Sequence, residues 1–197
     1  MFALIGLGNP GAQYHSNRHN VGFMALDAIA HFYDFSAFQK KDRVQLSLGK
    51  IGSHNALLIK PQSFMNVSGP PVVPFLMFHK IPLNQCFIFH DDLDLPLAKV
   101  RVKTGGGHGG HNGLRSLDQH IGKDYHRVRM GIDRPNRPEM VSGYVLSDFS
   151  PQERPIVESM LCDIARYTTL LLDQDPSLFM TRMNPRPPSK MESPDGI

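Results

Sequence analysis

Residues 103–113 read Lys-Thr-Gly-Gly-Gly-His-Gly-Gly-His-Asn-Gly, and this stretch limits what the chain around it can form. Six of the nine residues from Gly105 to Gly113 are glycine. A packed strand or a stable helix interior is excluded there, because each fixed glycine costs conformational entropy and offers no side chain to pack. Such a loop lets backbone approach a ligand closely, or presents bare N–H groups to an anion. A flexible linker is the alternative, although linkers more often carry serine at such positions than histidine and asparagine.

The glycine loop is flanked by two stretches in which basic and apolar residues alternate. Lys99, Arg101 and Lys103 precede it, and Arg127 and Arg129 follow after an apolar helical pattern. A period of two predicts strands on which the cations share one face. The sequence therefore predicts two strands that each carry a basic face, with the loop and a helix between them.

Further apolar runs predict a sheet with helices packed against it. Strands are expected at 2–5, 44–51, 56–59 and 86–90, and helical patterns separate most of them. Strands that alternate with helices predict an α/β sandwich around a mixed sheet. Residues 184–197 hold four prolines and no apolar pattern, so we expect a domain over 1–183 and a disordered tail.

Capping and proline signals give more local expectations. Asn20 and Ser68 are candidate N-caps of two helices, and Pro74 should kink or delay the second. Residues 150–153 (Ser-Pro-Gln-Glu) have the spacing of a capping box at a helix start. Residues 132–145 are polar with two prolines and predict a mobile loop.

Bulk composition bounds the class of protein. The 197 residues carry a formal net charge of +3, which permits an anionic partner without requiring one. Cys86 and Cys162 each lie in an apolar run and are interpreted as buried thiols. No secretory signal is recognisable and no apolar run reaches the length of a membrane span, so we expect a cytoplasmic location and no membrane partner.

Residues 6–11 (Gly-Leu-Gly-Asn-Pro-Gly) fit the fingerprint of a dinucleotide-binding fold. That fingerprint requires a helix to open at the glycines. Pro10 lies in the turn, however, and residues 12–18 have no apolar helical period. A nucleotide-dependent oxidoreductase therefore stays a minor alternative.

Metal sites are a second minor alternative. His15 with His19, and His108 with His111, have spacings compatible with metal binding, and the aspartates in 91–94 could hold Mg²⁺ in a nuclease. Neither cysteine ligands nor an H-E-x-x-H motif accompany them.

Polar side chains concentrate at predicted strand ends and loops, where ligands bind in open α/β sheets. The candidates are Asn9, Tyr14, His19, Asn66, Asp91, His111 and Asn112. A histidine, an aspartate and several amides suggest a base, a group that orients it, and neutral donors for an oxyanion. Each also has a structural alternative: His19 as a cap, Asn9 as a turn former, Asp91 as a solvated turn residue.

Taken together, five motifs in order resemble one family, the bacterial-type peptidyl-tRNA hydrolases. The matching segments are residues 6–11 with Tyr14, 18–22 (Arg-His-Asn-Val-Gly), 64–69 (Phe-Met-Asn-Val-Ser-Gly), 90–96 (His-Asp-Asp-Leu-Asp-Leu-Pro) and 105–114. The resemblance extends from about residue 2 to 182. It implies a monomeric, single-domain, three-layer α/β/α sandwich around a twisted mixed sheet.

The resemblance also implies an activity: hydrolysis, without metal or other cofactor, of the ester that joins a peptide to the 3′ end of tRNA. It assigns His19 as the base that activates water and Asp91 as the residue that orients it. Asn9 and Asn66 would position the peptide and the 3′ end and polarise the carbonyl.

The remaining assignments concern the substrate groove and the tRNA. Asn112 would help to bind substrate and water, and Tyr14, Met65 and His111 would line the groove. Lys103 and Arg129 would clamp the 5′ phosphate of the tRNA acceptor stem.

The chain departs from the family pattern at two places. Asn17 stands where threonine is usual, and prolines at 70, 71 and 74 interrupt a helix that is typically free of proline. A tRNA-binding module without catalysis is the competing function. It would retain the glycine loop, Lys103 and Arg129, but would not need His19 and Asp91.

Overall fold

The computed structural model describes residues 1–184. Its strands are β1 (Phe2–Gly6), β2 (Gln39–Lys41), β3 (Val44–Ile51), β4 (His54–Pro61), β5 (Cys86–Asp92), β6 (Val100–Thr104) and β7 (His126–Gly131). Its α-helices are α1 (Val21–Phe32), α2 (Gly69–Phe78), α3 (Asn112–Ile121), α4 (Val141–Val145), α5 (Arg154–Leu172) and α6 (Pro176–Met183). Short 3₁₀ turns at Arg18–Asn20 and Met65–Val67 contribute to the site described below.

The seven strands form one mixed sheet in the order β2-β3-β4-β1-β5-β7-β6. The central strands β4, β1, β5 and β7 run parallel to one another. The hairpin β2-β3 and the edge strand β6 are antiparallel to their neighbours. The carboxyl ends of β1 and β5 therefore lie side by side, and the loops that follow them meet there.

Helices cover both faces of the sheet because the side chains of the central strands alternate between two cores. Leu4 of β1 packs with α1, α5 and α6, whereas Ile5 packs with α2 and α3. Both residues are fully buried. The prediction of a three-layer α/β/α sandwich around a mixed sheet is confirmed.

Helix α1 packs so closely against the ends of β1 and β5 that its backbone contacts theirs directly at Gly22. A Cβ added at Gly22 would overlap the carbonyl oxygens of Phe89 in β5 and of Leu7 just after β1. Only glycine allows the helix to approach this closely. The approach brings the 3₁₀ turn that precedes α1, residues Arg18–Asn20, beside the end of β5.

Two predicted N-caps occupy the cap position without capping. Asn20 precedes α1, but its side chain bonds to the backbone of Asn9. The Ser68 hydroxyl likewise donates to the carbonyl of Met65 at 2.8 Å. The Asn20 amide oxygen accepts the N–H of Asn9 instead of a helix N–H, whereas the Ser68 hydroxyl acts as a donor to the turn before α2.

Helix α2 begins directly after Ser68 and runs through Pro74, so the expected delay does not occur. Pro74 lies on the exposed face of the helix. Its missing N–H leaves only one carbonyl of the preceding turn without its helical donor, and on this face water can bond to that carbonyl.

Other local expectations also need correction. Residues 132–145 contain a 3₁₀ turn and helix α4 rather than only loop. Ser150 and Glu153 form the reciprocal bonds of a capping box, yet α5 starts at Arg154, since Pro155 has no N–H to continue the ladder from that turn. Cys162 is exposed on α5, whereas Cys86 is buried.

The predicted tail largely lies outside the described residues. Its first residue, Asn184, is an exception, because its side chain pairs with the N–H and the carbonyl of Val100 on edge strand β6. Within residues 1–184, none of the helices has both the length and the apolar character that crossing a membrane requires.

Candidate active site

His19 and Asp91 meet where the turn before α1 reaches the end of β5. His19 Nδ1 lies 2.9 Å from each carboxylate oxygen of Asp91. Asp91 is 3% exposed and accepts this bond, so Nδ1 carries the proton and Nε2 keeps a lone pair. No hydrogen-bond partner of Nε2 is found among residues 1–184, and His19 lines a large cavity.

His111 supplies a second hydrogen bond to the same carboxylate. Its Nε2 lies 2.9 Å from Asp91 Oδ1, while its Nδ1 accepts the N–H groups of Gly113 and Leu114 at the start of α3. The acceptor role of Nδ1 places the proton on Nε2, which donates to Asp91. His111 thus caps α3 and holds Asp91, a function that its sequence position in the glycine loop did not reveal.

The electrostatics follow from burial and from these contacts. Burial raises the pKa of Asp91, but the charges and hydrogen bonds of His19 and His111 outweigh it and hold that pKa well below 3.8. Burial lowers the pKa of His19, but the Asp91 carboxylate outweighs it and leaves that pKa above 6.5. Asp91 is therefore a carboxylate at neutral pH, and its charge favours the protonated form of His19 against the effect of burial.

His90 lies directly beneath this group and was not singled out from the sequence. Its Nδ1 donates to the backbone carbonyl of Asp91 at 2.7 Å, and its ring packs edge-on against His111. Burial, with a smaller contribution from nearby His111, lowers the pKa of His90 to about 3. A neutral imidazole at this depth supports Asp91 and His111 without adding a charge.

Asn9 lies in the loop that follows β1 and is fixed there by three hydrogen bonds. Its Oδ1 accepts the N–H of Met65 at 2.8 Å, and its backbone N–H and carbonyl pair with the side chain of Asn20 at 2.9 Å each. Because Oδ1 is the acceptor, the amide Nδ2 is the group left to donate. Asn9 lines the same cavity as His19.

The cavity has a volume of about 950 Å³ and gathers most of the predicted site residues. Those that line it are Asn9, His19, Met65, Asn66, Asp91, Lys103, His111, Asn112 and Arg129. Asn66 and Asn112 are exposed and available to a ligand. Tyr14 does not line this cavity but packs edge-on against Phe64, which does.

The predicted basic faces differ between the two strands. Strands β6 and β7 are direct neighbours, and Lys103 pairs in register with Arg127. Arg127 is 2% exposed: it binds Asp118 and the carbonyls of Gly106 and Gly107, so it holds the glycine loop instead of facing solvent.

Lys103 and Arg129 both reach the cavity. Lys103 is exposed and forms no ion pair within the described residues. The Arg129 Nε donates to Asp92 at 2.7 Å, which leaves the terminal nitrogens of its guanidinium for another partner. The two cations that are predicted to act together thus line the same cavity.

His19, Asp91 and His111 are also the residues that could hold a metal ion, since one donor atom from each lies within 4.8 Å of the others. Each histidine already bonds directly to Asp91 at 2.9 Å, and His111 Nδ1 is occupied as a cap. A cation at this position would have to replace both bonds to Asp91.

Comparison with known proteins supplies independent evidence. The family model described as peptidyl-tRNA hydrolase matches residues 3–193. The peptidyl-tRNA hydrolase of Rhizobium rhizogenes is 44% identical over 194 residues, which cover 98% of this chain and 82% of that protein. That of Rhodopseudomonas palustris BisA53 is 47% identical over 184 residues, 93% of this chain and 92% of that protein.

The solved structures agree with the sequence comparisons. The crystal structure of peptidyl-tRNA hydrolase from Acinetobacter baumannii superposes with a TM-score of 0.89 at 36% identity. The superposition covers 96% of this chain and 97% of that one, so the likeness includes both layers of helices and the whole sheet.

Proposed function

Since the chain belongs to the peptidyl-tRNA hydrolase family and is a hydrolase of peptidyl-tRNA, we propose that His19 carries out the reaction as a general base without a metal ion. The observation that carries this proposal is the His19–Asp91 pair, in which Nδ1 of His19 contacts both carboxylate oxygens. Its carboxylate occupies Nδ1 and leaves the lone pair of Nε2 toward the cavity. A histidine with this tautomer can remove a proton from a bound water.

The substrate explains why one base suffices. An ester between a peptide and the ribose of tRNA is already activated toward water, so no covalent nucleophile is required. Nε2 of His19 takes a proton from the attacking water, whose oxygen bonds to the carbonyl carbon. The same proton then passes to the ribose oxygen as the ester bond breaks, which yields tRNA and a peptide carboxylic acid. The acid releases the second proton of the water to solvent and becomes a carboxylate.

Negative charge develops on the carbonyl oxygen in the tetrahedral intermediate, and neutral amides can stabilise it. We assign this donor role to Asn9 Nδ2, because the bond from Met65 N–H fixes the other end of the amide. Asn66 assists in polarising the carbonyl and in positioning the peptide and the 3′ end. A well-placed donor of this kind contributes about 3–4 kcal/mol to transition-state binding.

Other residues orient the substrate. Asn112, at the first position of α3, binds substrate and water. Met65 and His111 shape the groove directly, and Tyr14 does so through its contact with Phe64. Lys103 and Arg129 bind the 5′ phosphate of the acceptor stem, where a guanidinium offers a planar fork and an ammonium a point charge. The proposal includes action as a monomer in the cytoplasm, where peptidyl-tRNA released from ribosomes is found.

The test is release of labelled N-acetyl-amino acid from N-acetyl-aminoacyl-tRNA in the presence of EDTA. We expect rapid release by the wild type and strongly reduced release by a folded His19→Ala variant. Release that depends on added metal, or that is unaffected by the loss of His19, would contradict the proposed mechanism.

A further inference from the structure

Arg18 is a buried arginine next to the proposed base, and the proposed mechanism does not use it. Only 7% of it is exposed. Its Nη1 and Nη2 donate to the two carboxylate oxygens of Glu153 at 2.9 and 2.8 Å, a bidentate pair. The hydrogen bonds to Arg18 lower the pKa of Glu153 to about 2, so both partners are charged at neutral pH.

The remaining contacts of Arg18 go to α4 and to the segment between α4 and α5. The guanidinium lies 4.4 Å from the ring centre of Tyr144 and 5.0 Å from that of Phe149. Its backbone N–H donates to the carbonyl of Ser147 at 3.0 Å. A planar guanidinium that stacks on rings and forks onto a carboxylate cannot be replaced by an ammonium without loss.

Helix α4 and the residue that follows it form one side of the cavity. We call residues 141–146 the wall segment, since four of them line the cavity that contains His19: Val141, Ser142, Val145 and Leu146. Three of the four are apolar and none carries a charge. They suit the side chains of a peptide better than the phosphates of tRNA, for which Lys103 and Arg129 are available.

The turn that carries His19 is held without the wall segment. His19 bonds to Asp91, and Asn20 pairs with both backbone groups of Asn9. Apart from Arg18, the wall segment is attached by the bond from the Tyr144 hydroxyl to the carbonyl of Ile132 and by packing of Tyr144 and Val145 on the core, and Asn17 bonds to Asp148 just beyond it. Most residues from 133 to 143, which lead into the segment, are exposed. Loss of Arg18 would therefore move the wall before it moved the base.

We propose that Arg18 is a positioning residue that holds the wall segment beside His19 and thereby sets the affinity for the acyl part of the ester. The proposal rests on the proposed function, because it places the acyl group next to His19. Glu153 does not line the cavity. A change at Glu153 can therefore reach the cavity only through its two partners, Arg18 and the Ser150 N–H, and the glutamine of Glu153→Gln keeps an oxygen that can still accept that N–H.

The test compares Arg18→Lys and Glu153→Gln with the wild type on N-acetyl-leucyl-tRNA and N-acetyl-glycyl-tRNA. We expect KM for the leucyl substrate to rise several-fold to roughly 10-fold, the scale of coupling between residues in contact, with a smaller rise for the glycyl substrate. The pH at which kcat falls in acid should not change. Amide hydrogen exchange should accelerate in the wall segment but not in β5. The KM of the double variant for the leucyl substrate should be little higher than that of either single variant.

Arg166→Gln is the matched control, because it breaks an exposed ion pair with Asp163 on α5, the helix that begins directly after Glu153. It should leave both KM values unchanged. Unchanged KM values in folded Arg18→Lys and Glu153→Gln would overturn the proposal. A decrease in kcat alone, together with a change in the pH at which kcat falls in acid, would also overturn it. If Arg18→Lys does not fold, Glu153→Gln decides the question alone. Failure of the proposed function would be recognised separately, by full activity of His19→Ala.

Discussion

His19 Nδ1 lies at 2.9 Å from both carboxylate oxygens of Asp91, so the imidazole faces the carboxylate symmetrically. Rotation of the ring to either side would lengthen one of the two contacts. The pair therefore fixes both the tautomer of His19 and the direction of its Nε2 lone pair, and it gives the substitutions below distinct expected effects.

Replacement of His19 by alanine should reduce hydrolysis by roughly 10²-fold or more, the usual contribution of a positioned base. His19 is 12% exposed and is not part of either hydrophobic core, so the variant should fold. Single-turnover rates and a thermal melt would separate the two effects. Near-normal turnover by a folded variant would remove His19 from the mechanism.

Asp91→Asn should slow the reaction less than His19→Ala and should move its pH profile. The carboxylate raises the pKa of His19 above 6.5 against the effect of burial, and only unprotonated His19 can act as the base. Wild-type kcat/KM should therefore fall as the pH decreases through that raised pKa. In the variant only burial remains, so the fall should occur at lower pH. A profile that does not move would mean that the pair does not set the titration.

Asn9→Asp isolates the proposed oxyanion donor. Aspartate keeps an oxygen to accept the N–H of Met65, as Asn9 Oδ1 does at 2.8 Å, but it has no N–H to offer the substrate. We expect kcat to fall by about 10²–10³-fold, the cost of losing one such donor. Binding of uncharged tRNA should change little. If kcat is retained, the amide N–H is not used.

Lys103→Ala and Arg129→Ala should weaken tRNA substrates mainly through KM and should flatten the dependence of KM on salt, because each removes one contact to phosphate. A short ester substrate without the 5′ phosphate should be cleaved almost equally by wild type and variants. The measurement is kcat/KM for both substrates at two salt concentrations. Equal losses of kcat/KM on the tRNA substrate and on the short substrate would mean that these residues support the fold or the chemical step and do not bind the phosphate.

Prolonged dialysis against EDTA should leave activity intact, and added Zn²⁺ should inhibit. His19, Asp91 and His111 are close enough to bind zinc, but a bound ion would take the place of the hydrogen bonds that orient the base. The contrary result, activity lost on chelation and restored by a divalent ion, would make the trio a metal site.

Periodicity was sufficient for six strands of the sheet and for α1, α2, α3 and α5, and motifs were sufficient for the His19–Asp91 pair. Strand β2 and helix α6 were not predicted, and α4 lies where a loop was expected. The sequence did not predict the hydrogen-bond partner of a side chain that can bond either to a nearby helix or to a residue distant in the chain. Asn20 could cap α1 or bond to Asn9, eleven residues away, and only the packed loop decides. Arg127 has the alternation of an exposed strand cation but is drawn inward by Asp118 and the glycine-loop carbonyls.

Gly22 has a consequence for how the protein tolerates change. Because α1 rests on the main chain of residues 7 and 89, the spacing between the turn of His19 and the strand of Asp91 does not depend on the size of any side chain between them. Substitutions that exchange one apolar residue for another deeper in the two cores should lower the melting temperature yet leave turnover nearly constant. Gly22→Ala adds only one methyl group, but that group would lie against two carbonyl oxygens and push α1 away from the strands. We therefore expect turnover to fall sharply, because His19 would be separated from Asp91.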